Sequence, residues 1–161
     1  MESLPERTPA ESRVDMVEVV LPNDANPLGN ILGGKVMHLI DIAGAIAAHR
    51  HSRSFVVTVA MDEVEFISPI KVGQLIILHA QVTCAFKTSV EVEVKVFSED
   101  IISGTRRPTS TAFLTFVAID EQGRPRSVPP LNPGTDEEKR KMEQARLRRQ
   151  LRMQSKKLIS G

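Results

Sequence analysis

Residues 33–49 read GGKVMHLIDIAGAIAAH, and they decide the fold because they form the only long helix predicted before the C-terminal tail. Their alanine, leucine, methionine and isoleucine content favours a helix. Apolar residues occupy nearly its whole circumference, and a helix that is apolar on all sides is buried rather than lying on a surface. We therefore expect this helix to lie at the centre of the protein.

Strand-like segments lie on both sides of this helix. One precedes it, at residues 14–21, and the stretch 22–30 between them is dense in turn-forming residues. Four strands are predicted after it, at 55–67, 75–86, 88–97 and 109–120. An antiparallel sheet that curls around one central helix accommodates this order, so the sequence predicts an α+β fold.

The strands differ in the burial that their patterns predict. The alternation of apolar and polar residues slips near Met61–Glu63, which suggests a bulge at that point. Residues 90–96 alternate valine with glutamate or lysine, which indicates a strand with one face in water. Residues 109–120 are apolar on both faces, so we expect a central strand or one at a subunit interface.

The charge pattern divides the chain into three parts. The 161 residues carry 21 basic and 20 acidic side chains, and a net charge of +1 gives no chain-wide signal for polyanion binding. Residues 1–13 read as a loose arm and 14–126 as the globular domain. Residues 127–161 form a proline-rich link and a basic helix, which starts with a capping box of Thr135 and Glu138. We expect a solvated helix and no nucleic-acid partner, because no aromatic residues interleave with its charges.

The composition excludes several kinds of site. Tyrosine and tryptophan are absent, so no tyrosine acts as acid or base and neither residue stacks on bases. The single cysteine, Cys84, excludes an internal disulfide and a multi-cysteine metal site, and we expect a buried structural thiol. The N-terminus is polar, and the apolar run 36–48 is too short to span a membrane, so we expect a cytoplasmic protein.

Asp41 is the anomaly of the central helix. Its carboxylate lies among apolar residues, and an unpaired charge there is costly. The group must find hydrogen-bond donors, raise its pKa or face a cleft. A carboxylate in such a place is a candidate general base, although a structural aspartate satisfied by hydroxyls or backbone donors is the alternative.

Gly33 and Gly34 lie at the start of the helix, where free backbone N–H groups favour an anion and glycine allows close approach. An oxyanion hole for acyl transfer is one interpretation, and an ordinary glycine turn is the other. Asn30 lies just ahead and either orients a water or carbonyl or forms a turn. About two helical turns, near 10 Å, separate Gly34 from Asp41. A dimer with two such helices side by side would bring the loop of one subunit to Asp41 of the other.

Other polar residues near the helix have simpler explanations. His49 and His51 lie near its end, where a positive charge interacts favourably with the helix C-terminus, and this explains them better than metal binding. We expect His38 to be a core or interface histidine. Arg106 and Arg107 precede the last strand, where a solvated turn is the simplest interpretation, although paired guanidinium groups suit a phosphate-bearing substrate.

Four motifs resemble the acyl-CoA hydrolases of the hotdog fold, in the branch of bacterial broad-range and brain-type cytosolic acyl-CoA thioesterases. They are D-A-N-x-x-G-N-x-x-G-G at 24–34, D-x-A-G-A-I at 41–46, F-x-S-P-I-x-V-G-Q at 66–74 and KTSVEVEV at 87–94. The resemblance covers residues 14–126. It implies an antiparallel sheet wrapped around one long central helix, paired into a homodimer with a continuous sheet, and commonly a hexamer formed as a trimer of dimers.

The resemblance also implies an activity and a site. The reaction is hydrolysis of fatty acyl-CoA to free fatty acid and CoA, with coenzyme A as part of the substrate and no metal or redox cofactor. Asp41 would deprotonate a water or attack directly, Asn30 of the partner subunit would position the water or the thioester, and the Gly34 N–H would polarise the carbonyl. The implied substrate-binding residues are Gly33, Thr88, Ser89, Arg106 and Arg107.

Two alternatives belong to other classes. A hotdog hydratase or dehydratase would resemble enzymes with a histidine in the loop ahead of the helix, and this loop has Asn30 instead. A non-catalytic acyl-CoA-binding sensor module is the second alternative, and the basic tail is the feature that favours it. Turnover of an acyl-CoA distinguishes a thioesterase from such a sensor.

Overall fold

A computed structural model describes residues 3–62 and 64–160. A five-stranded antiparallel sheet wraps one side of a long helix, and a second helix lies on the outside of the sheet. The elements, in chain order, are β1 (Val14–Val19), α1 (Gly33–Ser52), β2 (Phe55–Asp62), β3 (Leu75–Ala85), β4 (Ser89–Glu99), β5 (Arg106–Ile119) and α2 (Asp136–Ser160). The predicted α+β fold is confirmed.

The strand order in the sheet is β1-β3-β4-β5-β2, so β5 lies between two neighbours as its apolar pattern predicted. The core forms where the inner face of the sheet meets α1. Phe116, Leu39 and Ile40 are among the largest side chains fully buried there. Gly44 allows α1 to pack closely on β5, because a Cβ at this position would lie only 3.0 Å from the Phe116 ring.

The burial of α1 is one-sided, so the expectation of a helix buried all round is wrong for a single protomer. Val36, Ala43 and Ala47 face the sheet and are buried, whereas Met37 is 42% exposed and His38 is also exposed. The sheet curls around only one side of the helix. The apolar residues on its other side are therefore left open in an isolated chain.

Strand β2 is shorter than predicted, and its bulge lies elsewhere. The pairing of β2 with β5 shifts between Thr58 and Ala60, while Met61 and Asp62 pair regularly with β5. Val59 forms the bulge, because it has no partner in the pairing of β2 with β5, and this extra residue accounts for the slip in the alternation. Part of the predicted bulge and strand falls on residue 63, which lies outside the described residues. The chain beyond it leaves the ladder.

Strand β5 begins earlier than predicted. Arg106 and Arg107 are strand residues that pair with Glu99 and Ser98 of β4, so the expectation of a solvated turn at these arginines is wrong. The turn before the strand lies at Ser103–Gly104, as its residues predict, and Gly104 has a φ of +71° that favours glycine.

Helix α2 packs on the outer face of the sheet, which contradicts the prediction of a solvated helix. Its start has the predicted capping box, in which the Glu138 amide donates to Thr135 Oγ1 at 3.0 Å and the Thr135 amide donates to Glu138 Oε1 at 3.0 Å. Arg148 forms a two-pronged ion pair with Glu91, at 3.0 Å and 2.8 Å, and Glu91 is only 2% exposed. The face of β4 expected in water is thus covered by α2.

The N-terminal segment also differs from the expectation of a loose arm. The Arg7 amide donates to the Pro130 carbonyl at 2.9 Å, and the Asn132 amide donates to the Arg7 carbonyl at 2.8 Å. Ser12 is buried, and its hydroxyl accepts from the Val82 amide at 2.9 Å. Residues 3–13 are therefore held on the domain and on the link that leads to α2. In the stretches that the structure describes, neither helix has the length and apolarity needed to cross a membrane.

Candidate active site

The loop before α1 is organised by Asn26. Its side-chain oxygen accepts from the amides of Leu28, at 3.0 Å, and Asn30, at 3.1 Å. The Asn26 amide in turn donates to the Asn30 carbonyl at 2.8 Å, and Gly29 closes the turn with a φ of +80°. These bonds place Asn30 next to the first turn of α1.

This loop and the start of α1 form one wall of a cavity of about 390 Å³. The opposite wall comes from the segment after β2 and from the start of β5. Most of the surface is apolar, and each wall contributes a few polar groups, as is typical of a ligand pocket. The cavity is lined by Asn26, Asn30, Ile31, Gly33, Val36, Phe66, Ile67, Ser68, Pro69, Ile70, Thr109 and Ser110.

The two glycines leave the start of α1 open. A Cβ at Gly34 would meet nothing within 4 Å, and one at Gly33 would lie 3.7 Å from Phe66. The amides of Lys35 and Val36 donate to the Leu32 carbonyl, whereas the first amides of a helix have no acceptor within it. A carbonyl oxygen can therefore approach the N–H groups of Gly33 and Gly34 and the positive end of the helix dipole.

Asp41 lies about two turns further along α1, half-buried on the side not covered by the sheet. Its Oδ1 accepts a hydrogen bond of 2.7 Å from the Thr58 hydroxyl of β2. The carboxylate has thus found a donor, as its position in an apolar helix required. Asp41 is not among the residues that line the cavity, so one protomer does not bring Asp41 and Asn30 into one pocket.

Thr58 is the residue that the sequence analysis missed. A threonine in a β-branched strand is ordinary, and its contact with Asp41 depends on how β2 crosses α1. The only local signal was the nearby slip in the strand pattern, which the structure places at Val59.

Thr88 and Ser89 lie at the other end of the sheet from the cavity. Ser89 pairs with Val117 of β5, whereas the cavity is lined by Ser110, seven residues earlier and about 23 Å away along the strand. Ser89 has the same side-chain direction in β4 as Glu91, which contacts α2, so it lies on the face opposite α1. The structure does not bring these two residues to the cavity of the same protomer.

The two arginines have different surroundings. Arg106 donates to Glu99 Oε1 at 3.2 Å. Arg107 and Lys71 line a second, more polar pocket of about 430 Å³. Ser68 and Pro69 line both pockets, so the two are adjacent. Arg107 and Lys71 thus provide positive charge beside the candidate site.

The histidines give one correction. His51 is buried, its Nε2 donates to the Pro129 carbonyl at 2.7 Å, and burial lowers the pKa of the imidazole. Its burial and its bond to Pro129 make His51 a structural histidine, and the lowered pKa disfavours the positive charge that was expected at the helix end. His49 is exposed, and its Nδ1 donates to the Ser54 carbonyl at 2.8 Å. His38 is exposed in one protomer and is not a core residue.

Cys84 is buried, and burial raises the pKa of its thiol to about 11, as suits the structural role predicted for it. Among residues 3–62 and 64–160, no three histidine, cysteine, aspartate or glutamate side chains form a group suited to a metal ion. The polar groups of the candidate site are the Asp41 carboxylate, the carboxamides of the loop and the N–H groups at the start of α1.

Comparisons with known proteins agree with this geometry. Residues 28–105 match the model of the thioesterase superfamily. A Bacillus subtilis relative named uncharacterized acyl-CoA thioester hydrolase YkhA is 41% identical over 138 residues, which are 86% of this chain and 80% of that protein. Acyl-coenzyme A thioesterase 11 of Mus musculus is 37% identical over 94% of this chain, which spans only 26% of that longer protein.

Solved structures show the same architecture. A hexameric acyl-CoA thioesterase superposes with a TM-score of 0.91 at 41% identity, covering 94% of this chain and 97% of that one. The acyl-CoA hydrolase of Staphylococcus aureus, solved with butyryl coenzyme A, coenzyme A and its disulfide, superposes with a TM-score of 0.86 at 34% identity, covering 97% and 98%.

That Staphylococcus aureus enzyme has also been solved as three variants, in which an aspartate, an asparagine or a threonine is replaced by alanine. The replaced asparagine lies fifteen residues before the aspartate, and the threonine lies seventeen residues after it. With this overlap of sequence and fold, the chain belongs to the acyl-CoA thioester hydrolases of the hotdog-fold thioesterase superfamily.

Proposed function

We propose that this chain hydrolyses fatty acyl-CoA to free fatty acid and CoA at a site completed by two protomers, with Asp41 as the general base. One observation carries the proposal. The Asp41 carboxylate is held by Thr58 on the open side of α1, while the loop and helix start that would bind the thioester lie in a separate cavity. A second protomer supplies the missing half.

The open side of α1 and the free edge of β2 support this pairing. Phe55, Val57 and Val59 of β2 are 68%, 43% and 54% exposed, and β2 ends the sheet order of a single protomer. Pairing of β2 with β2 of a second copy would continue the sheet and cover the edge. It would also bring the two α1 helices side by side, with Met37 and His38 at the contact. The hexameric relative supports a trimer of such dimers.

The residue spacing supports Thr58 and one loop asparagine as parts of the site. Thr58 lies seventeen residues after Asp41 and Asn26 lies fifteen residues before it, the same separations as the residues replaced in the Staphylococcus aureus enzyme. We assign Thr58 as a positioning residue that leaves the second oxygen of Asp41 for a water. Asn30, which the family motif suggested, stays a candidate beside Asn26, because both line the cavity.

In the proposed reaction Asp41 removes a proton from a water, and the resulting hydroxide attacks the thioester carbonyl. The loop asparagine of the other protomer orients the water or the thioester, and the Gly34 N–H stabilises the oxyanion of the tetrahedral intermediate. The C–S bond then breaks and the carbonyl reforms. Asp41 passes the proton that it took from the water to the departing thiolate, so CoA leaves as the thiol. A thiolate is a good leaving group, so the lack of tyrosine and of another strong acid is no obstacle.

The CoA portion is expected to extend from the cavity towards the polar pocket. Arg107 and Lys71 are placed to bind its phosphates there, whereas Arg106 is already paired with Glu99. Thr88 is retained as a CoA contact of the protomer that supplies Asp41. The position of Ser89, on the face of the sheet away from α1, gives that assignment no support. A cytoplasmic location is part of this proposal, because a mouse relative that is 30% identical over 92% of this chain is named a cytosolic acyl coenzyme A thioester hydrolase.

The test is thiol release from a panel of acyl-CoA esters, acetyl to palmitoyl, by the wild type and by Asp41→Asn. We expect turnover to fall about 100-fold or more in the variant, within the range for loss of a general base. Asp136→Asn, at an exposed aspartate of α2, is the control and should leave turnover unchanged.

Two outcomes would contradict the proposal. Wild-type turnover that Asp41→Asn does not change would keep the activity and make Asp41 a structural residue. No turnover on any chain length, with CoA esters still bound, would leave the acyl-CoA sensor as the function.

A further inference from the structure

Helix α2 uses one face against the sheet and leaves the other uncovered. The sheet-facing residues recur at intervals of three and four, and the described residues after Arg152 are all exposed. The sheet-facing residues are Lys141, Met142, Ala145, Arg148, Arg149 and Arg152. The last eight residues of the helix, about 12 Å, therefore extend past its contact with the sheet.

Three leucines lie on the uncovered face. Leu147 and Leu151 are each 55% exposed, and Leu158 is 84% exposed. At 100° per residue they lie within about 40° of one another and roughly opposite Ala145, which is fully buried against the body. Their spacings of four and seven residues are those of the seam of a helix pair.

The seam is self-complementary when its direction is reversed. Gln144, Leu147, Leu151 and Gln154 are separated by three, four and three residues, so the order of residue types and spacings is the same from either end. In an antiparallel pair, Leu147 packs against Leu151 of the second copy, and Gln144 meets Gln154. Two leucine layers would be flanked by two glutamine layers, which can hydrogen-bond with each other.

Charged residues on the side of the seam away from the sheet are also arranged symmetrically along the helix. Glu143 and Lys157 lie seven residues on either side of Gln150. Antiparallel pairing brings Glu143 towards Lys157 of the second copy, and both are exposed. Glu143 also pairs with Arg146 of its own helix. A parallel pair would instead place the acidic first turns together and align the two helix dipoles.

We propose that α2 pairs antiparallel with α2 of a second copy of this chain, through a seam of Gln144, Leu147, Leu151 and Gln154. This two-fold contact differs from the pairing of two β2 edges, and Arg152 places the end of α2 beside Asp62 of β2. Two different two-fold contacts on one chain join dimers into a larger assembly. The inference goes beyond the proposed function, since it concerns no residue of the reaction.

Single cysteine substitutions test the register. Gln150→Cys lies near the two-fold axis and should cross-link with its own copy under mild oxidation. Gln144→Cys should not, because antiparallel pairing separates the two copies of residue 144 by about 15 Å along the axis. Cys84 contributes little background, since it is buried and its thiol pKa is raised to about 11. Self-cross-linking of Gln144→Cys would indicate a parallel pair and overturn the proposal.

The assembly is tested by light scattering on the double variant Leu147→Lys, Leu151→Lys. We expect its mass to fall to that of a dimer while the circular dichroism is retained. Met153→Lys introduces one lysine at a similarly exposed residue, 49%, outside the seam, and should keep the wild-type mass. An unchanged mass for the double variant overturns the proposal. Loss of binding to phosphatidylglycerol vesicles by the double variant, at an unchanged mass, would also overturn the proposal. It would show that the leucines contact lipid rather than a second helix.

Discussion

At the scale of the residue, Asn26 and Asn30 lie in the same loop but have different surroundings. The Asn26 side-chain oxygen accepts two backbone amides and holds the loop together. Any catalytic contribution of Asn26 therefore comes from its NH₂ group, which is the only part left for a substrate or water. The carboxamide of Asn30 has no such structural task in the loop, and its backbone rather than its side chain is bonded to Asn26.

This difference predicts how substitutions at the two asparagines separate. Asn26→Asp keeps the oxygen that holds the loop and removes the NH₂ donor. We expect kcat/KM to fall about 100-fold in both Asn26→Asp and Asn26→Ala, as for loss of one oriented donor. Asn30→Ala should cost less than about tenfold. Steady-state kinetics with one acyl-CoA checks this, and the reverse order of effects would return the role to Asn30.

His51 predicts a dependence of stability on pH. Burial lowers the pKa of His51 below its ordinary 6.5, and its buried Nδ1 has no hydrogen-bond partner among the described residues. Between the two pKa values the unfolded chain binds the extra proton, so the free energy of unfolding falls as pH drops below about 6.5. Arg7, which faces the imidazole, opposes its protonation, whereas Glu11 favours it. Urea unfolding at pH 7.5 and 5.5 should show a smaller loss of stability in His51→Gln, and an equal loss would contradict the assignment.

At the scale of the element, α2 is held to the sheet by ion pairs rather than by an apolar face. Arg148 bonds Glu91 of β4, and its guanidinium lies 3.6 Å from the centre of the Phe113 ring. Arg152 bonds Asp62 of β2 at 2.8 Å, and Lys141 bonds Glu93 at 3.1 Å. The acidic outer face of the sheet and the basic helix are therefore complementary, which explains the separation of charge along the chain.

Removing Arg148 should be costly, because it leaves the carboxylate of Glu91 buried without its main partner. We expect Arg148→Ala to lower the free energy of unfolding by about 3 kcal/mol, as for breaking one side of a buried pair. The double variant Arg148→Met, Glu91→Gln removes both charges and should lose less. Denaturant unfolding measures both, and a double variant as unstable as Arg148→Ala would show that the charge of Glu91 is not the cause.

At the scale of the whole molecule, the proposed site exists only between protomers. Asp41 with Thr58 forms one half, and the loop before α1 with the start of that helix forms the other. A two-fold dimer contains two such sites, each taking one half from either chain. Activity should therefore depend on which chains meet, and not only on which residues each chain carries.

Mixed dimers test this directly. Asp41→Asn and the double variant Asn26→Ala, Asn30→Ala are each expected to be inactive alone. In a mixed dimer, one site combines both defects and the other combines the two intact halves. Random co-assembly should therefore restore about a quarter of wild-type turnover. If Asp41 and the asparagines act within one chain, the mixture stays inactive. The recovered turnover therefore distinguishes a site shared between two chains from a site within one chain.

Much of the fold could be predicted from local pattern alone. A helix at 33–49, five strands and an antiparallel sheet around that helix were predicted from side-chain periodicity and turn residues, and the helix continues to Ser52. The strand ends at Asp62 and Arg106 could not, because a ladder begins and ends where a neighbouring strand offers hydrogen bonds. The burial of Glu91 was missed for a similar reason, since the alternation of β4 does not reveal that α2 covers it.

The sequence by itself determined the chemistry that is available to this protein. It placed Asp41 in an apolar helix, two glycines at the start of that helix and asparagines in the loop before it, and their spacing already separated the two halves of a site. Only the tertiary structure decided that Thr58 holds Asp41, that Asp41 lies outside the cavity, and that one side of α1 and one edge of the sheet stay open. The physical reason is that periodicity along a chain encodes which side of an element is apolar, whereas the partner of each side is set by contacts between residues distant in sequence.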